Sequence, residues 1–568
     1  MFWGGEGPAP FLRPISLWKE GENKLLNLDR SSLKEPETWT KLGFKLPEFN
    51  PQRVADNTAK NPEWVHFGSG NIFRSFIAAL NQKLLDEKKT ETGIIAVDTY
   101  DPEVIKRVYR PHDNMSILVL MNADGTLDKE VIASVGESLY GDPECPEDWE
   151  KLKTAFRSPT LKMASFTITE KGYRLRSLSG DYLPDIAGDL QNGPAAPKHV
   201  MAKVCALAYE RYRAGRLPIA LVSMDNCSHN GEKLEASVLE VADKWAENGL
   251  VDKDFPAYLR NEAFVTFPWT MIDKITPRPS DAIRAELEKS GIGGMNVIVT
   301  AKKTYIAPFV NAESPQYLVV EDRFPNGRPP LEAAGVLFTD RATVEKTERM
   351  KVTTCLNPLH TALAIFGCLL GYKTIAEEMR DKDLVALVKR IGYQEGMPVV
   401  VNPGVLDPKA FLDEVVEKRL PNPYIPDTPQ RIATDTSQKI PVRYGETIKS
   451  YAANPSLDVN SLHCIPLVIA AWFRYLLGVD DSGTAMAVSP DPLLGDMKEA
   501  LSGVRVGDPS SADGKLTPLL ANSKLFGLDL NKAGLGGIVE KDFKQMLRGR
   551  NAVRETLSQC IREKEAID

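Results

Sequence analysis

The pattern of hydrophobic and polar positions divides the chain into an α/β part and a helical part. Between residues 61 and 310, short apolar runs typical of buried strands alternate with helical segments. This alternation favours a parallel sheet covered by helices, and we predict a Rossmann-type domain over this range. We assign residues 311–568 to a mainly α-helical domain, whose long helical segments begin after about residue 345. Residues 1–60, rich in proline and polar side chains, are predicted to form an extension over the surface.

The same pattern predicts the positions of individual elements. Strands are predicted at residues 64–67, 93–97, 116–121, 131–135, 161–168 and 217–222. Helices are predicted at residues 75–87, 149–157, 199–214, 358–372, 373–380, 383–392, 408–418, 445–452, 461–478, 492–502 and 538–565. The apolar positions of the last segment share one helical face, which indicates docking on the body of the protein.

The first predicted strand leads into a glycine-containing turn that is typical of dinucleotide-binding domains. Glycines let the backbone approach a pyrophosphate, and the following helix N-terminus offers amide donors. Phe73 stands where the usual motif has its third glycine, and Arg74 after it could pair with a phosphate. An ordinary tight turn of an α/β unit is the alternative. The candidate cofactor-binding residues in this turn are Gly68, Gly70, Asn71, Ile72, Phe73 and Arg74.

Acidic and amide side chains follow the ends of later strands. Asp98 ends the second strand, where a carboxylate can accept both ribose hydroxyls of NAD and repel the 2′-phosphate of NADP. We therefore favour NAD over NADP, with Asp101 as a competing candidate. Glu170, Asp225 and Asn226 follow two further strands, and polar residues at such ends face the ligand crevice. Helix capping and turn formation are the alternative roles for these side chains.

Lys351 precedes the apolar run of residues 359–372, and Asn357 and His360 lie close to it in sequence. Desolvation beside apolar surface disfavours the ammonium form, so such a lysine could act as a general base. The alternative is a solvated lysine at the head of a helix. Asp273 is the one acid in an apolar segment and needs a partner, for which we consider Lys274 or Lys351.

Composition and charge narrow the function classes. The 568 residues carry a net charge of −7 without a long basic block, which argues against a nucleic-acid partner. The seven cysteines are scattered and form no CxxC pair, and no metal-binding motif occurs, so we expect a reducing cytoplasm and no metal. The apolar runs at 359–372 and 465–478 are too short to span a bilayer, and we expect no membrane association.

Several stretches, in order along residues 60 to 490, together resemble the mannitol dehydrogenase family. This family comprises long-chain polyol dehydrogenases and includes fructuronate and tagaturonate reductases. The matching stretches are residues 66–74, 167–173, 225–226 with 230–231, 267–277, 320–324 with 327–329, 356–357 with 360, 439–441, and 471–472 with 475–478.

The resemblance implies a metal-independent NAD(P) oxidoreductase, with its active site in the cleft between the two domains, and the position of Asp98 favours NAD. Its substrate would be a small sugar alcohol or sugar acid, a hexitol or hexonate of the mannitol, mannonate or altronate type. The protein would be a monomer or small homo-oligomer. By the same resemblance, Lys351 would be the general acid/base and Asn226 and Asn357 would stabilise the alkoxide. His360 would orient substrate and Glu348 would pass protons to solvent, and the other substrate contacts would be Asp273, Arg431 and Lys439.

One spacing departs from the family pattern. The family has five steps from lysine to asparagine and eight to histidine, whereas Lys351 stands six before Asn357 and nine before His360. Nine steps would put the lysine and histidine on opposite faces of a regular helix. We therefore predict, between Val352 and Asn357, either a π-bulge or a helix restart with Asn357 as its cap and Pro358 at its first position.

Two other readings stay open. A member with this altered spacing could be a sugar-acid epimerase that works through a transient ketone with tightly held NAD. The chain could also be a non-catalytic dinucleotide sensor, although a sensor would not need the lysine, amide and imidazole side chains described above.

Overall fold

The computed structural model describes residues 25–177 and 179–565. Its strands, in chain order, are β1 (Phe44–Lys45), β2 (Trp64–Phe67), β3 (Ile94–Asp98), β4 (Ser116–Met121), β5 (Leu127–Ile132), β6 (Val135–Tyr140), β7 (Met163–Phe166), β8 (Ile219–Ser223), β9 (Val265–Thr266), β10 (Thr270–Asp273), β11 (Ile298–Val299), β12 (Tyr305–Ile306), β13 (Phe309–Glu313), β14 (Tyr317–Glu321) and β15 (Leu337–Thr339).

A six-stranded sheet with the order β6-β3-β2-β7-β8-β9 forms the centre of the first domain. All of its pairings are parallel. The strands β2, β3, β7 and β8 are apolar and almost entirely buried because helices cover both faces of the sheet. Strand order reverses on either side of β2, and ligands of such sheets bind beyond the carboxyl ends of the strands at that point. The predicted Rossmann-type domain is confirmed.

Smaller sheets extend the first domain. A four-stranded sheet has the order β1-β5-β4-β13, a three-stranded sheet the order β10-β14-β15, and β11 pairs with β12. The described part of the N-terminal extension is packed on this body: β1 pairs with β5, and Trp39 is fully buried. Residues 1–24 of the predicted extension lie outside the described residues.

Helices complete the first domain. Its α-helices are Pro36–Lys41, Pro51–Lys60, Ala78–Asp86, Pro102–Val104, Pro146–Arg157, Glu170–Tyr173, Pro184–Asn192, Val200–Arg213, Asn230–Glu247, Phe255–Arg260 and Asp281–Lys289. Its π turns are Phe73–Ile77 and Ile105–Tyr109, and its 3-10 turns are Ser32–Lys34, Arg110–His112 and Leu331–Ala334.

The second domain is mainly helical. Its α-helices are Arg341–Met350, Asn357–Leu370, Ile375–Glu378, Lys382–Lys389, Pro408–Glu414, Pro429–Ile432, Thr436–Ile440, Glu446–Ala453, Cys464–Leu476, Leu494–Ala500, Leu516–Leu520, Ser523–Phe526, Gly536–Met546 and Ala552–Glu565. Its π turns are Lys351–Cys355, Arg390–Gly396, Val415–Arg419 and Pro441–Gly445, and its 3-10 turns are Met397–Val399, Val459–Ser461 and Pro509–Ala512.

The core of the second domain forms around the helices Asn357–Leu370 and Cys464–Leu476, which are buried along nearly their whole length. The helical stretch Arg341–Leu370 is long and apolar enough to cross a membrane by length and composition, but 83% of its most apolar window is buried inside the protein. That degree of burial is typical of a core helix.

Three predictions need correction. The predicted strand at 131–135 covers the end of β5 and the start of β6, two different strands. The predicted helix at 538–565 is two helices, because the chain turns through positive φ at Gly549 and Asn551. The predicted domain boundary at residue 310 falls inside β13, and strands continue to Thr339 because β13, β14 and β15 pair with earlier strands.

Candidate active site

The turn after β2 combines one glycine that the fold requires with one that leaves open space. Gly68 has a φ of +105°, and a Cβ there would lie 2.1 Å from the Thr167 carbonyl oxygen. A Cβ on Gly70 would meet nothing within 4 Å. Gly68 therefore shapes the turn, whereas Gly70 leaves its outer side free for a close approach of a ligand.

The next residues of the turn differ in their exposure. Asn71 and Ile72 are half-buried at the start of the helical stretch, and Phe73 is fully buried with its ring stacked on His66. Arg74 is also buried, and it donates to the Ala307 carbonyl oxygen at 2.6 Å and to Asn71 Oδ1 at 2.9 Å. The guanidinium of Arg74 thus faces the protein interior. This geometry does not favour the predicted pairing with a phosphate.

Asp98 ends β3 beside the glycine turn. Its Oδ2 accepts from the Ser69 hydroxyl at 2.8 Å, and its Oδ1 accepts from the backbone N–H groups of Tyr100 and Asp101. Burial raises the pKa of Asp98, and these hydrogen bonds oppose that shift. The competing Asp101 caps the helix Pro102–Val104 and accepts from the Thr300 hydroxyl. Both carboxylates accept hydrogen bonds from the protein, but Asp98 is half-buried whereas Asp101 is buried, so Asp98 is the more accessible to a ligand.

The carboxylate of Asp225 fixes the turn that follows β7. It accepts from the backbone N–H groups of Ile168 and Thr169 at 2.9 Å and from the Tyr173 hydroxyl at 2.6 Å. Because this carboxylate is buried and both of its oxygens are used in this way, the geometry indicates a positioning role rather than the predicted direct cofactor contact. The predicted candidate Glu170 is exposed and pairs with Lys233 at 2.7 Å.

The helix that carries Lys351 is interrupted, as the sequence spacing predicted. The helix Arg341–Met350 passes into the π turn Lys351–Cys355, and Leu356 then leaves helical geometry at φ −128° and ψ −60°. A new helix begins at Asn357 with Pro358 as its second residue. The prediction of an interruption is confirmed, although Leu356 rather than Asn357 stands at the cap position.

Lys351 reaches from the second domain to the carboxyl edge of the first. Its Nζ donates to Asn226 Oδ1 at 3.0 Å and to the Ile272 carbonyl oxygen at 3.1 Å, and it lies 4.0 Å from Asp273 Oδ1. The residue is only 4% exposed, whereas Asn226 is exposed. Burial lowers the pKa of Lys351, and the negative charge of Asp273 opposes this effect. The lysine therefore has an environment that eases loss of its proton.

Asp273 pairs mainly with an arginine that the sequence had not suggested. Arg419, on the π turn Val415–Arg419, donates to both oxygens of Asp273 and to both oxygens of Glu313. All three residues are buried. The expected partner Lys351 is a second, more distant contact, and Lys274 instead donates to the Glu313 carbonyl oxygen and to Gln316.

The imidazole of His360 lies 3.4 Å from Asp427, which also pairs with Arg431. Burial lowers the pKa of His360 to about 4 despite the opposing charge of Asp427, so the imidazole is neutral at pH 7. Arg431 is exposed. Lys439 donates to the carbonyl oxygens of Ile432 and Thr434, and burial lowers its pKa to about 8.

The two remaining candidates flank Lys351 on its own segment. Glu348 is half-buried one turn before the lysine, and its charge acts to raise the pKa of Lys351. Asn357 is half-buried, and its backbone carbonyl accepts from Arg443 at 3.3 Å. Among the described residues, no group of three His, Cys, Asp or Glu side chains could hold a metal ion.

The sequence reasoning missed four charged residues around this cleft: Arg419, Glu313, Asp427 and Arg443. Glu313 had a sequence signal, because it is an acid that directly follows the mostly apolar run of residues 309–312. The arginines had none, because their partners are distant in sequence.

Comparison with known proteins agrees with this architecture. The sequence model of the mannitol dehydrogenase Rossmann domain matches residues 62–333, and that of the mannitol dehydrogenase C-terminal domain matches residues 343–547. A D-mannonate oxidoreductase of Thermotoga maritima is 55% identical over 538 residues, which cover 94% of this chain and 99% of that protein.

Two solved structures are similar over most of the chain. Mannitol 2-dehydrogenase of Pseudomonas fluorescens, in a ternary complex with NAD and D-mannitol, is 27% identical with a TM-score of 0.66, and the match covers 94% of this chain and 100% of that one. A substrate-free D-sorbitol dehydrogenase is 25% identical with a TM-score of 0.73, covering 91% of this chain and 97% of that one. The chain is therefore an oxidoreductase and belongs to the mannitol dehydrogenase family of polyol and hexonate dehydrogenases.

Proposed function

We propose that this protein interconverts D-mannonate and the corresponding keto acid with NAD as the hydride carrier and Lys351 as the general acid/base. The observation that carries the proposal is the position of Lys351. Its buried Nζ comes from the helical domain and meets Asn226 at the carboxyl edge of the Rossmann sheet. A dinucleotide bound to such a sheet lies at that edge. The extensive similarity to a D-mannonate oxidoreductase supports the choice of substrate.

The residues of the first domain fit a dinucleotide. The open side of Gly70 and the helix that begins at Asn71 would hold the pyrophosphate, and the carboxylate of Asp98 would accept the ribose hydroxyls. The negative charge of Asp98 disfavours a 2′-phosphate, which supports NAD over NADP. When bound, the nicotinamide accepts or donates the hydride.

The protein's task in the oxidation is to remove one proton from the reacting hydroxyl. Lys351, in its neutral form, would accept that proton on Nζ. The hydride leaves the carbon atom that bears this hydroxyl. Asn226 uses its Oδ1 to hold Lys351, so its Nδ2 amide is left to donate to the developing alkoxide. Asn357 would supply a second amide. In the reverse direction, protonated Lys351 would return the proton to the ketone oxygen.

The surrounding residues would orient substrate and move the proton outward. Neutral His360 offers a ring nitrogen to a substrate hydroxyl, and Asp427 fixes its orientation. Asp273, Arg431 and Lys439 are the other proposed substrate contacts. Glu348, half-buried beside Lys351, would pass the proton to solvent.

The test is direct turnover. The protein is mixed with NAD or NADP and D-mannonate, D-altronate or D-mannitol, and in reverse with NADH and the keto acids, while the absorbance of the reduced cofactor is followed. We expect the highest kcat/KM with D-mannonate and NAD. Binding of NAD without turnover of any substrate would indicate a sensor. Interconversion of sugar acids without net change of cofactor would indicate an epimerase.

A further inference from the structure

Arg443 lies beside the candidate site and contacts only neutral groups. It belongs to the π turn Pro441–Gly445, which packs against the start of the helix Asn357–Leu370. Its Nη1 donates to the Asn357 carbonyl oxygen at 3.3 Å and to the Thr361 hydroxyl at 2.6 Å. These two acceptors set the direction of the guanidinium group but leave its positive charge unbalanced.

The buried residues Arg419 and Arg211 have acceptors for all three guanidinium nitrogens, whereas Arg443 donates only from Nη1. Arg419 meets two carboxylates, and Arg211 uses Nε, Nη1 and Nη2 on backbone carbonyl oxygens. Within residues 25–177 and 179–565, no carboxylate oxygen lies within 4.0 Å of Arg443. Its Nε and Nη2 have no acceptor in that part of the chain, and neither is among the enclosed atoms that lack a partner. These N–H groups are therefore accessible to a ligand.

The neighbourhood of Arg443 carries an excess of positive charge. Besides burial, the charge of Arg443 lowers the pKa of Lys439, and it also contributes to the lowered pKa of His360. Lys439 donates to two backbone carbonyl oxygens and forms no ion pair with a described residue. The nearby acid Asp427 is already shared between His360 and Arg431. The cleft is thus arranged to receive a negative group from a ligand.

We propose that Arg443 binds the carboxylate of a hexonate substrate, with Lys439 beside it, and thereby selects sugar acids over uncharged polyols. This inference rests on the proposed function and deepens it. A guanidinium with free Nε and Nη2 donors can hold a carboxylate through two parallel hydrogen bonds. Asn357 would act at both ends of the substrate. Its backbone carbonyl orients Arg443 at the carboxylate end, and its side chain is a proposed donor to the reacting oxygen.

The first experiment compares a charged and an uncharged substrate on one variant. In Arg443→Gln, kcat/KM for D-mannonate should fall by at least about 50-fold, because a desolvated carboxylate loses its charged partner. Turnover of D-mannitol should stay within about threefold of the wild-type value. Arg443→Lys should recover part of the loss. Arg380→Gln, the same exchange at an exposed arginine, is the matched control and should change neither substrate.

A second variant keeps the test decisive if Arg443→Gln folds poorly. Thr361→Val removes the hydroxyl acceptor that aims Arg443 and keeps the side-chain shape. It should weaken binding of D-mannonate to the protein–NADH complex, measured by calorimetry, while the affinity for NADH stays unchanged. Equal losses for D-mannonate and D-mannitol, or an unchanged kcat/KM for D-mannonate in Arg443→Gln, would overturn the assignment.

The outcome also separates this inference from the proposed function. If the wild-type protein turns over hexitols and no hexonate, both proposals fail. If it turns over D-mannonate and Arg443→Gln does so equally well, only the role of Arg443 fails.

Discussion

Replacing Asp273 by asparagine should shift the pH dependence of catalysis. The change keeps the shape and one acceptor for Arg419 but removes a negative charge 4.0 Å from Lys351 Nζ. Two unit charges at about 4 Å attract by roughly 4 kcal/mol at an effective dielectric constant of ~20, and by roughly 1 kcal/mol in bulk water. The positive charge of Arg419, then balanced only by Glu313, acts in the same direction. The pKa of Lys351 in the variant should therefore fall below its wild-type value.

The direction of the effect follows from the proposed role. Oxidation needs neutral Lys351, so the rise of kcat/KM with increasing pH should move to lower pH by about one unit or more, since one unit corresponds to ~1.4 kcal/mol. Reduction needs protonated Lys351. As the pH is raised, the rate of reduction in the variant should therefore begin to fall at a lower pH than in the wild-type protein. The overall kcat/KM should also fall, because Asp273 is a proposed substrate contact.

The assay is kcat/KM for D-mannonate oxidation and for keto-acid reduction across the pH range in which both proteins stay folded. Asp254→Asn, the same exchange at an exposed carboxylate, is the control and should leave both profiles unchanged. An unchanged profile in Asp273→Asn, or a shift to higher pH, would refute the electrostatic coupling between Asp273 and Lys351.

Three further predictions concern the cofactor turn and the buried ion pairs. Gly70→Ala should lower the affinity for NADH about tenfold without changing the melting temperature. Gly68→Ala should destabilise the fold by more than about 1 kcal/mol. Equal melting temperatures for the two variants would contradict the different roles assigned to the two glycines. Asp98→Ser should raise kcat/KM for NADP relative to NAD by at least about tenfold, and an unchanged ratio would remove Asp98 from the cofactor site. Arg419→Met should cost about 3–5 kcal/mol in urea unfolding because it orphans two buried carboxylates, and the loss should shrink as pH falls and Glu313 becomes protonated.

The Rossmann sheet and its ligand edge could be predicted from the sequence because they depend on local patterns. A short, mostly apolar run such as β2 predicts a strand that is buried on both faces, and the glycines after β2 predict the turn. The helix interruption after Lys351 could also be predicted, because Pro358 is a local signal and the spacing from Lys351 to Asn357 is one residue longer than in the family that the sequence resembles. These features need no knowledge of distant partners.

The electrostatic contacts of the site could not be predicted in the same way. The pair of Arg419 with Asp273 joins residues 146 positions apart, and nothing near either residue specifies it. The same holds for Asp225, whose position at a strand end suggested a ligand contact but whose carboxylate holds the neighbouring turn. Position along the chain identifies which edge a residue occupies, but not whether its side chain is already engaged by the protein.

The central claim is that Lys351 transfers the proton of the reacting hydroxyl. The most direct test is the rate of a single turnover of D-mannonate by Lys351→Met, which removes the amine and keeps an apolar side chain of similar length. We predict a loss of about 10²- to 10⁴-fold, disappearance of the pH dependence assigned to the lysine, and unchanged affinity for NADH. A variant that retains near wild-type single-turnover rates with the wild-type pH profile would contradict the claim.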